Sequence, residues 1–291
     1  MARTLQVLEV LRRGTGYLSR STEIATPRRD VEVLLAHALS LSRLDLYLQF
    51  DRPLTEEELT RTRGLLTRRR KDEPMAYLLG EASFYGLDFE VGPGVLIPRP
   101  ESELLVEVAL AHVRAIGQGP IQVADLGCGS GCLAIAIAAN SPAAEVEAVD
   151  ASEVAVASTT RNALKHRVSD RVTPVLASWS EPLGWLSPTD LVVANPPYIS
   201  TEELRTLDRS VRDYEPVLAL DGGPDGLDAY RQLLRALAAV LGAGAAICLE
   251  VDPRRIRGVE ALAHEVWPGA HLEPRRDLDG QERVLQVQIS R

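Results

Sequence analysis

The sequence predicts an α/β protein: a mostly parallel, doubly wound sheet of seven strands behind a small helical N-terminal domain. Three observations carry this expectation. The first 75 residues repeat apolar side chains at three- and four-residue spacing and show no strand signal. From residue 101 onward, short apolar runs alternate with amphipathic stretches, the pattern of a parallel sheet covered by helices on both faces. The first of those runs ends in a turn with glycines at 127, 129 and 131, and open α/β sheets hold ligands at such turns.

In chain order, "TLQVLEVLRR" (4–13) and "RRDVEVLLAHALSL" (28–41) read as amphipathic helices, with Pro27 suited to the entry of the second. "SRLDLYLQF" (42–50) is a third, capped by Ser42. "TEEELTRTRGLLTRRR" (55–70) opens with Thr55 and Glu58 at capping-box spacing and runs to about Lys71. The basic run 68–71 is a solvated helix end that complements the helix dipole. In "ASFYGLDFEVGPGVLIPRP" (82–100), β-type residues are broken by Gly86 and by Gly92-Pro93-Gly94, which predicts a hairpin connector. The expected division is a helical domain over 1–75, a connector over 76–100 and the α/β domain over 101–291. Within the last, strands are expected at 121–127, 145–150, 171–177, 190–195, 245–251, 270–274 and 283–289. Helices are expected at 102–116, from about 131, and at 152–165, 226–241 and 253–265.

Composition narrows the function classes. With 45% apolar and 25% charged residues the chain is ordinary globular material, and it has no apolar run long enough to span a bilayer. The N-terminus reads as an amphipathic helix, not a signal peptide. Cys128, Cys132 and Cys248 are too few for a disulfide framework, and no second Cys/His pair completes a zinc set. A cytoplasmic protein without a metal centre is expected. The net charge of −9 is uneven: residues 1–75 hold 14 Lys/Arg against 11 Asp/Glu, the remainder 18 against 30. An acidic body argues against a surface built to neutralise many phosphates, so direct nucleic-acid binding is not required.

Two stretches carry chemistry. In "VADLGCGSGCLAIAIAA" (123–139) a strand ends at Asp125 and Gly127, Gly129 and Gly131 follow, spaced G-x-G-x-G and not as the dinucleotide fingerprint. Glycine there lets a ligand approach the main chain closely; the plain alternative is a tight turn with no ligand. Nineteen residues past Gly131, the next strand ends at Asp150, where a carboxylate can accept both hydroxyls of a ribose or simply cap the following helix. The second stretch is "LVVANPPYIS" (191–200), a core strand cut off by Asn195-Pro196-Pro197-Tyr198. The prolines stiffen the loop and donate no N–H, while their carbonyls and the Asn195 side-chain oxygen accept. Such a loop suits a group with two N–H donors, such as –NH₂, and Tyr198 offers a flat wall.

The D-x-G-x-G-x-G turn, the acid at the next strand end and N-P-P-Y together resemble the class I S-adenosylmethionine-dependent methyltransferases that methylate amino or amide nitrogen, with a Rossmann-like fold. Residues 73–107, "EPMAYLLGEASFYGLDFEVGPGVLIPRPESELLVE", resemble the corresponding segment of the peptide chain release factor N5-glutamine methyltransferases, the HemK type. The front, "TPRRDVEVLLAHALSLSRLDLYL" (26–48), and the tail, "RRDLDGQERVLQV" (275–287), are similar to the same family. The resemblance implies S-adenosylmethionine as cofactor, S-adenosylhomocysteine as product, and a release-factor glutamine as target. It implies that Gly127, Cys128, Gly129, Ser130 and Gly131 hold the methionine end, Asp150 the ribose and Trp179 the adenine. It further implies that Asn195, Pro196, Pro197 and Tyr198 hold and activate the amide, with Phe84 or Tyr85 closing the site. The cysteines are otherwise small fillers around the turn.

Two departures stand out: Ser178 precedes Trp179 where the family often has an acid, and "LEVDPRRIRG" (249–258) replaces the family's Glu-x-Gly strand end. The alternatives are an adenine-N6 nucleic-acid methyltransferase, a glutamine-N5 methyltransferase acting on a ribosomal protein, and a non-enzymatic protein retaining the fold.

Overall fold

The computed structural model describes residues 5–117, 119–184, 186 and 188–290. The chain forms two compact units, Met1–Glu81 with Leu207–Tyr214, and Ala82–Thr206 with Glu215–Arg291.

The first unit is helical: α1 (Val7–Leu18), α2 (Pro27–Leu39), α3 (Arg43–Leu48), α4 (Glu56–Arg69) and α5 (Met75–Leu79). Thr4, at the start of the first expected helix, lies outside the described residues. Capping residues set the starts of α3 and α4. Ser42 with Asp45 and Thr55 with Glu58 form reciprocal capping boxes, satisfying N–H groups that a helix start otherwise leaves open. The apolar stripes meet in one core that includes Val10, Leu18, Val31, Leu34, Leu35 and Leu66. At its edge the polar groups are paired rather than absent: Arg69 Nε bonds Asp30 at 2.7 Å. Leu207–Tyr214 joins this unit through Arg209, 3.1 Å from Asp72, and through the Tyr214 hydroxyl, which donates to the Lys71 carbonyl at 2.7 Å.

The second unit begins with a two-stranded hairpin, β1 (Glu81–Phe84) and β2 (Leu87–Glu90). Tyr85 and Gly86 both have positive φ, the geometry whose twist matches a hairpin's. After it come α6 (Glu103–Ile116), β3 (Ile121–Leu126), α7 (Cys132–Asn140), β4 (Ala144–Asp150), α8 (Glu153–Lys165), β5 (Val172–Leu176) and β6 (Leu191–Ala194). The chain closes with α9 (Asp228–Ala238), β7 (Ala246–Glu250), α10 (Ile256–Val266), β8 (His271–Arg276) and β9 (Glu282–Gln288). The seven strands lie in the order β5-β4-β3-β6-β7-β9-β8. All pairs from β5 to β7 are parallel, and β9 runs antiparallel to both of its neighbours. This is the doubly wound sheet expected from the alternation.

Prolines mark the sheet's limits. Pro174 and Pro274 sit in β5 and β8, the two edge strands, where a missing N–H costs no ladder bond. The centre is dry: every residue of β6 and β7 is buried. One face packs Leu126, Val192, Ile247 and Leu285 against Tyr230, Leu233 and Leu234 of α9 and Val259 of α10. No helix among the described residues is long and apolar enough to cross a membrane.

Strand order places the first parallel strand β3 at the centre, with the chain winding outward on either side. All five parallel strands, β3 to β7, therefore present their carboxyl ends on one side of the sheet, where ligands of such sheets bind.

Candidate active site

Those strand ends open on one cavity of about 480 Å³, a size suited to a small-molecule ligand. Its wall includes Gly127, Cys128, Gly129 and Ser130 after β3, Asp150 at the end of β4, Trp179 after β5, and Asn195 and Pro197 after β6. Residues as far apart in sequence as Gly127 and Pro197 thus meet in one place because the sheet aligns their strand ends.

Each glycine of the turn has a positive φ: +84° at Gly127, +57° at Gly129 and +79° at Gly131. A side chain at Gly127 would also stand 3.1 Å from the Trp179 ring, so the glycine leaves that ring its place on the wall. Gly131 occupies the N-cap position of α7 and has no side chain to cap with. The buried Asp125 does so from below: its Oδ2 accepts the N–H of Ala134, three residues into the helix, at 3.1 Å. Burial pushes the Asp125 carboxyl up to about 7. Gly131 itself is not on the cavity wall; it shapes the turn. The Ser130 hydroxyl is buried on the wall and makes no hydrogen bond among the described residues.

Cys128 packs its sulfur 3.3 Å from the Thr159 hydroxyl, and burial raises its thiol far above the usual range. Burial likewise pushes Cys132 up to about 12. Neither is a thiolate nucleophile near neutral pH. Among the described residues no group of three or more His, Cys, Asp and Glu is arranged to hold a metal ion.

Asp150 Oδ2 accepts from the Gly129 N–H and Oδ1 from the Ser152 N–H, each at 2.9 Å. Burial raises its pKa, and the backbone donors of Gly129, Ser152 and Ala151 oppose the rise. Capping of α8 falls to Ser152, which accepts from Ala155 at 3.4 Å. Asp150 is free of that duty and faces the cavity. Ser178 spends its hydroxyl on Ser180, at 2.7 Å.

In the proline loop, Asn195 Nδ2 donates to the Ser102 hydroxyl at 3.2 Å. Pro196 is buried behind the wall. Tyr198 is half-buried against the core under the loop, and burial pushes its phenol up to about 12. It does not line the cavity, contrary to the flat wall expected there: its apolar ring gains more by packing on the core than by facing water.

The loop is braced from outside. Ile199 N–H donates to Leu220 at 3.1 Å, and Gly222 N–H to Ile199 at 2.8 Å. A side chain at Gly222 would stand 2.8 Å from the Pro197 carbonyl oxygen, and one at Gly226 would collide with that of Tyr198.

Phe84 requires correction. It is 2% exposed, packs edge-on to Phe89 at 6.2 Å between ring centres, and is not on the cavity wall. As an inward side chain of β1 it is core. Tyr85, in the hairpin turn, is not on the wall either; its N–H donates to Glu103 at 2.8 Å.

Sequence reading missed other residues. Ser102 meets Asn195, and the buried Glu215 ties two wall segments together, accepting from the Ile97 N–H at 3.0 Å and from Arg99 at 2.5 Å. "LIPRPESE" (96–103) holds three of these partners, but nothing local marks Arg99 and Ser102 as cavity residues.

Two family models match the chain: the PrmC N-terminal domain over residues 9–80 and the methyltransferase small domain over 101–222. The release factor glutamine methyltransferase of Geobacter sulfurreducens is 46% identical over 81% of this chain and 80% of its own. That of Chlorobaculum tepidum is 41% identical over 84% and 85%. A solved structure from Alicyclobacillus acidocaldarius, a protein-(glutamine-N5) methyltransferase described as release factor-specific, is 30% identical over 70% of this chain and 100% of its own, with a TM-score of 0.42. By its identity to these relatives over most of its length, and theirs, the chain belongs to the release factor glutamine methyltransferase family.

Proposed function

We propose that this protein transfers a methyl group from S-adenosylmethionine to the side-chain amide nitrogen, N5, of the glutamine in the Gly-Gly-Gln motif of peptide chain release factors. The observation that carries the reading is the meeting of the glycine turn, Asp150 and Asn195 on one cavity wall.

The wall fits this cofactor. A side chain at Gly127 would crowd Trp179, and the buried Ser130 hydroxyl awaits a partner, as a wall shaped to a ligand would leave it. Gly127 to Ser130 would hold the methionine end, Asp150 the ribose hydroxyls and Trp179 the adenine face. Bound there, S-adenosylmethionine supplies an electrophilic methyl group on a sulfonium.

The chain's own residues must make a poor nucleophile react, because an amide nitrogen shares its lone pair with its carbonyl. Asn195 Oδ1 and the Pro196 carbonyl would each accept one amide N–H. That turns the nitrogen toward the methyl group and favours the positive charge developing on it. No residue has to remove a proton before transfer. Pro197 forms the wall beside the target, and Tyr198 shores the loop from the core side.

The helical unit is assigned to recognition of the protein substrate, because a glycine-rich target offers little side-chain surface of its own. Removing residues 1–75 should preserve cofactor binding while sharply lowering methylation of intact release factor. Full activity of the truncated protein would overturn that assignment.

Labelled S-adenosylmethionine, offered with release factor, ribosomal proteins, RNA and DNA in separate reactions, tests the whole reading. Label is expected on release factor alone and is lost when the motif glutamine is changed to alanine. Label on DNA or RNA with none on protein would establish the adenine-N6 alternative, which the acidic charge of the α/β unit and the names of the relatives both disfavour.

A further inference from the structure

Ser102 is out of its ordinary role. It stands at the N-cap of α6, yet its side chain makes no capping hydrogen bond. Its hydroxyl accepts from Asn195 Nδ2 instead. Behind the pair lies Glu250. Ala194 pairs with Leu249 in the parallel register of β6 and β7, so the next residues, Asn195 and Glu250, stand side by side at the strand ends. Glu250 is 3% exposed, and its Oε2 has no hydrogen-bond partner among the described residues. The buried Tyr230 hydroxyl clamps the Glu250 main-chain carbonyl at 2.8 Å, which fixes where the side chain starts.

We propose that Ser102 and Glu250 are positioning residues for Asn195, holding its amide –NH₂ toward the protein so that Oδ1 is the end offered to the cavity. The inference rests on the role given to Asn195 above. The physical basis is one of donor and acceptor. An ionised carboxylate only accepts, so it selects the donor end of a neighbouring amide and orients the serine proton toward itself. A chain running from Asn195 N–H to Ser102 O–H to Glu250 has one direction. Without it the amide can turn over and aim its –NH₂ at a substrate that needs acceptors, leaving donor facing donor.

Burial pushes Glu250 up to about 7, and the nearby Ser102 and Asn195 side chains oppose the rise. Of the charged and titratable groups facing it, Glu101 raises it further and Arg283 lowers it. Tyr198, Tyr230 and Cys132 face it too, and each is held neutral near pH 7 by burial. The carboxylate is thus the member of the cluster that changes charge near neutrality. Orientation of Asn195 should be complete above this value and weaken as pH falls through it.

The test uses the full chain with Glu250→Gln, Ser102→Ala and Ser102→Thr. Single-turnover methylation of release factor is followed from about pH 5.5 to about pH 9. Wild-type turnover should fall as pH drops through about 7. Glu250→Gln should remove that dependence and lower the high-pH rate about tenfold, because a neutral amide no longer enforces one direction. Ser102→Ala should lower turnover about tenfold and Ser102→Thr restore it, with cofactor affinity changed less than about twofold. A packing role alone would lower melting temperature and leave the pH profile in place. Wild-type dependence in Glu250→Gln, or full turnover in Ser102→Ala, would overturn the proposal.

A second measurement needs no substrate. Carbon-13 NMR of protein labelled at its glutamate carboxyls should show one midpoint near 7, absent in Glu250→Gln and raised in Ser102→Ala. No glutamate titrating above the ordinary range would overturn the proposal even if release factor is methylated. Failure to methylate release factor, with this titration present, would instead overturn the reading it rests on.

Discussion

The Gly129 N–H donates to Asp150 Oδ2 at 2.9 Å, tying the glycine turn after β3 to the acid that ends β4. The two parts of the proposed cofactor site are therefore one hydrogen-bonded piece. The acid keeps its orientation through main-chain donors and does not depend on a flexible side chain.

Asp150→Ala removes that tie together with the acceptor for a ribose. Cofactor dissociation constants should rise roughly 30- to 1000-fold, the worth of two charge-assisted hydrogen bonds at about 2–4 kcal/mol. Titration calorimetry measures it, and an unchanged constant would remove Asp150 from the ribose site. Because burial raises the Asp150 pKa, wild-type affinity should be full above that pKa and decline as pH falls through it, earlier than for an exposed aspartate.

Gly131→Ala tests the shape of the turn apart from its ligand. The new methyl group would stand 2.8 Å from Thr159 Cγ2 and 3.0 Å from Ile135 Cδ1, at a φ of +79°. Strain and overpacking together should cost about 2–4 kcal/mol of stability, read as a lower denaturant midpoint. A variant as stable as wild type would mean that this segment relaxes freely.

Asn195→Ala should reduce single-turnover methylation about 10²–10³-fold, the effect of losing one well-placed transition-state acceptor, with a smaller change in cofactor affinity. Asn195→Asp should do no better. The carboxylate can accept from the substrate, but it cannot donate to Ser102, and it sits beside the buried Glu250 in like-charge conflict. Turnover of the alanine variant within about threefold of wild type would refute the acceptor role.

Glu32 supplies a prediction for the helical unit. Burial pushes its carboxyl up, but hydrogen bonds from Tyr47, Arg43 and Arg28 outweigh this and hold it at about 2. A depressed carboxylate contributes stability that is complete above its unfolded pKa, near 4.5, and is lost as pH falls toward about 2. Glu32→Gln should flatten the acid limb of the unit's unfolding curve in that window. An unaltered limb would assign acid sensitivity to other carboxylates.

By itself the sequence determined most of the element types, the caps of α3 and α4 and the chemistry of the two turns, but not the short α5, which stands where the hairpin connector was expected to begin. Those depend on signals within a few residues: apolar period, Ser42 and Thr55 three positions before an acid, glycine where φ is positive, proline where a ladder ends. That Gly127, Asp150 and Asn195 line one cavity was legible for the same reason, since each marks a strand end and a parallel sheet gathers such ends.

Tertiary structure alone decided which distant groups meet. Ser102 reaches Asn195 across 93 positions, Glu215 joins Ile97 and Arg99, Leu207–Tyr214 packs with helices far upstream, and Gly222 presses on the Pro197 carbonyl. It also turned Phe84 and Tyr198 away from the cavity. Such partnerships follow from strand order and side-chain packing, in which separation along the chain carries no information about distance in space.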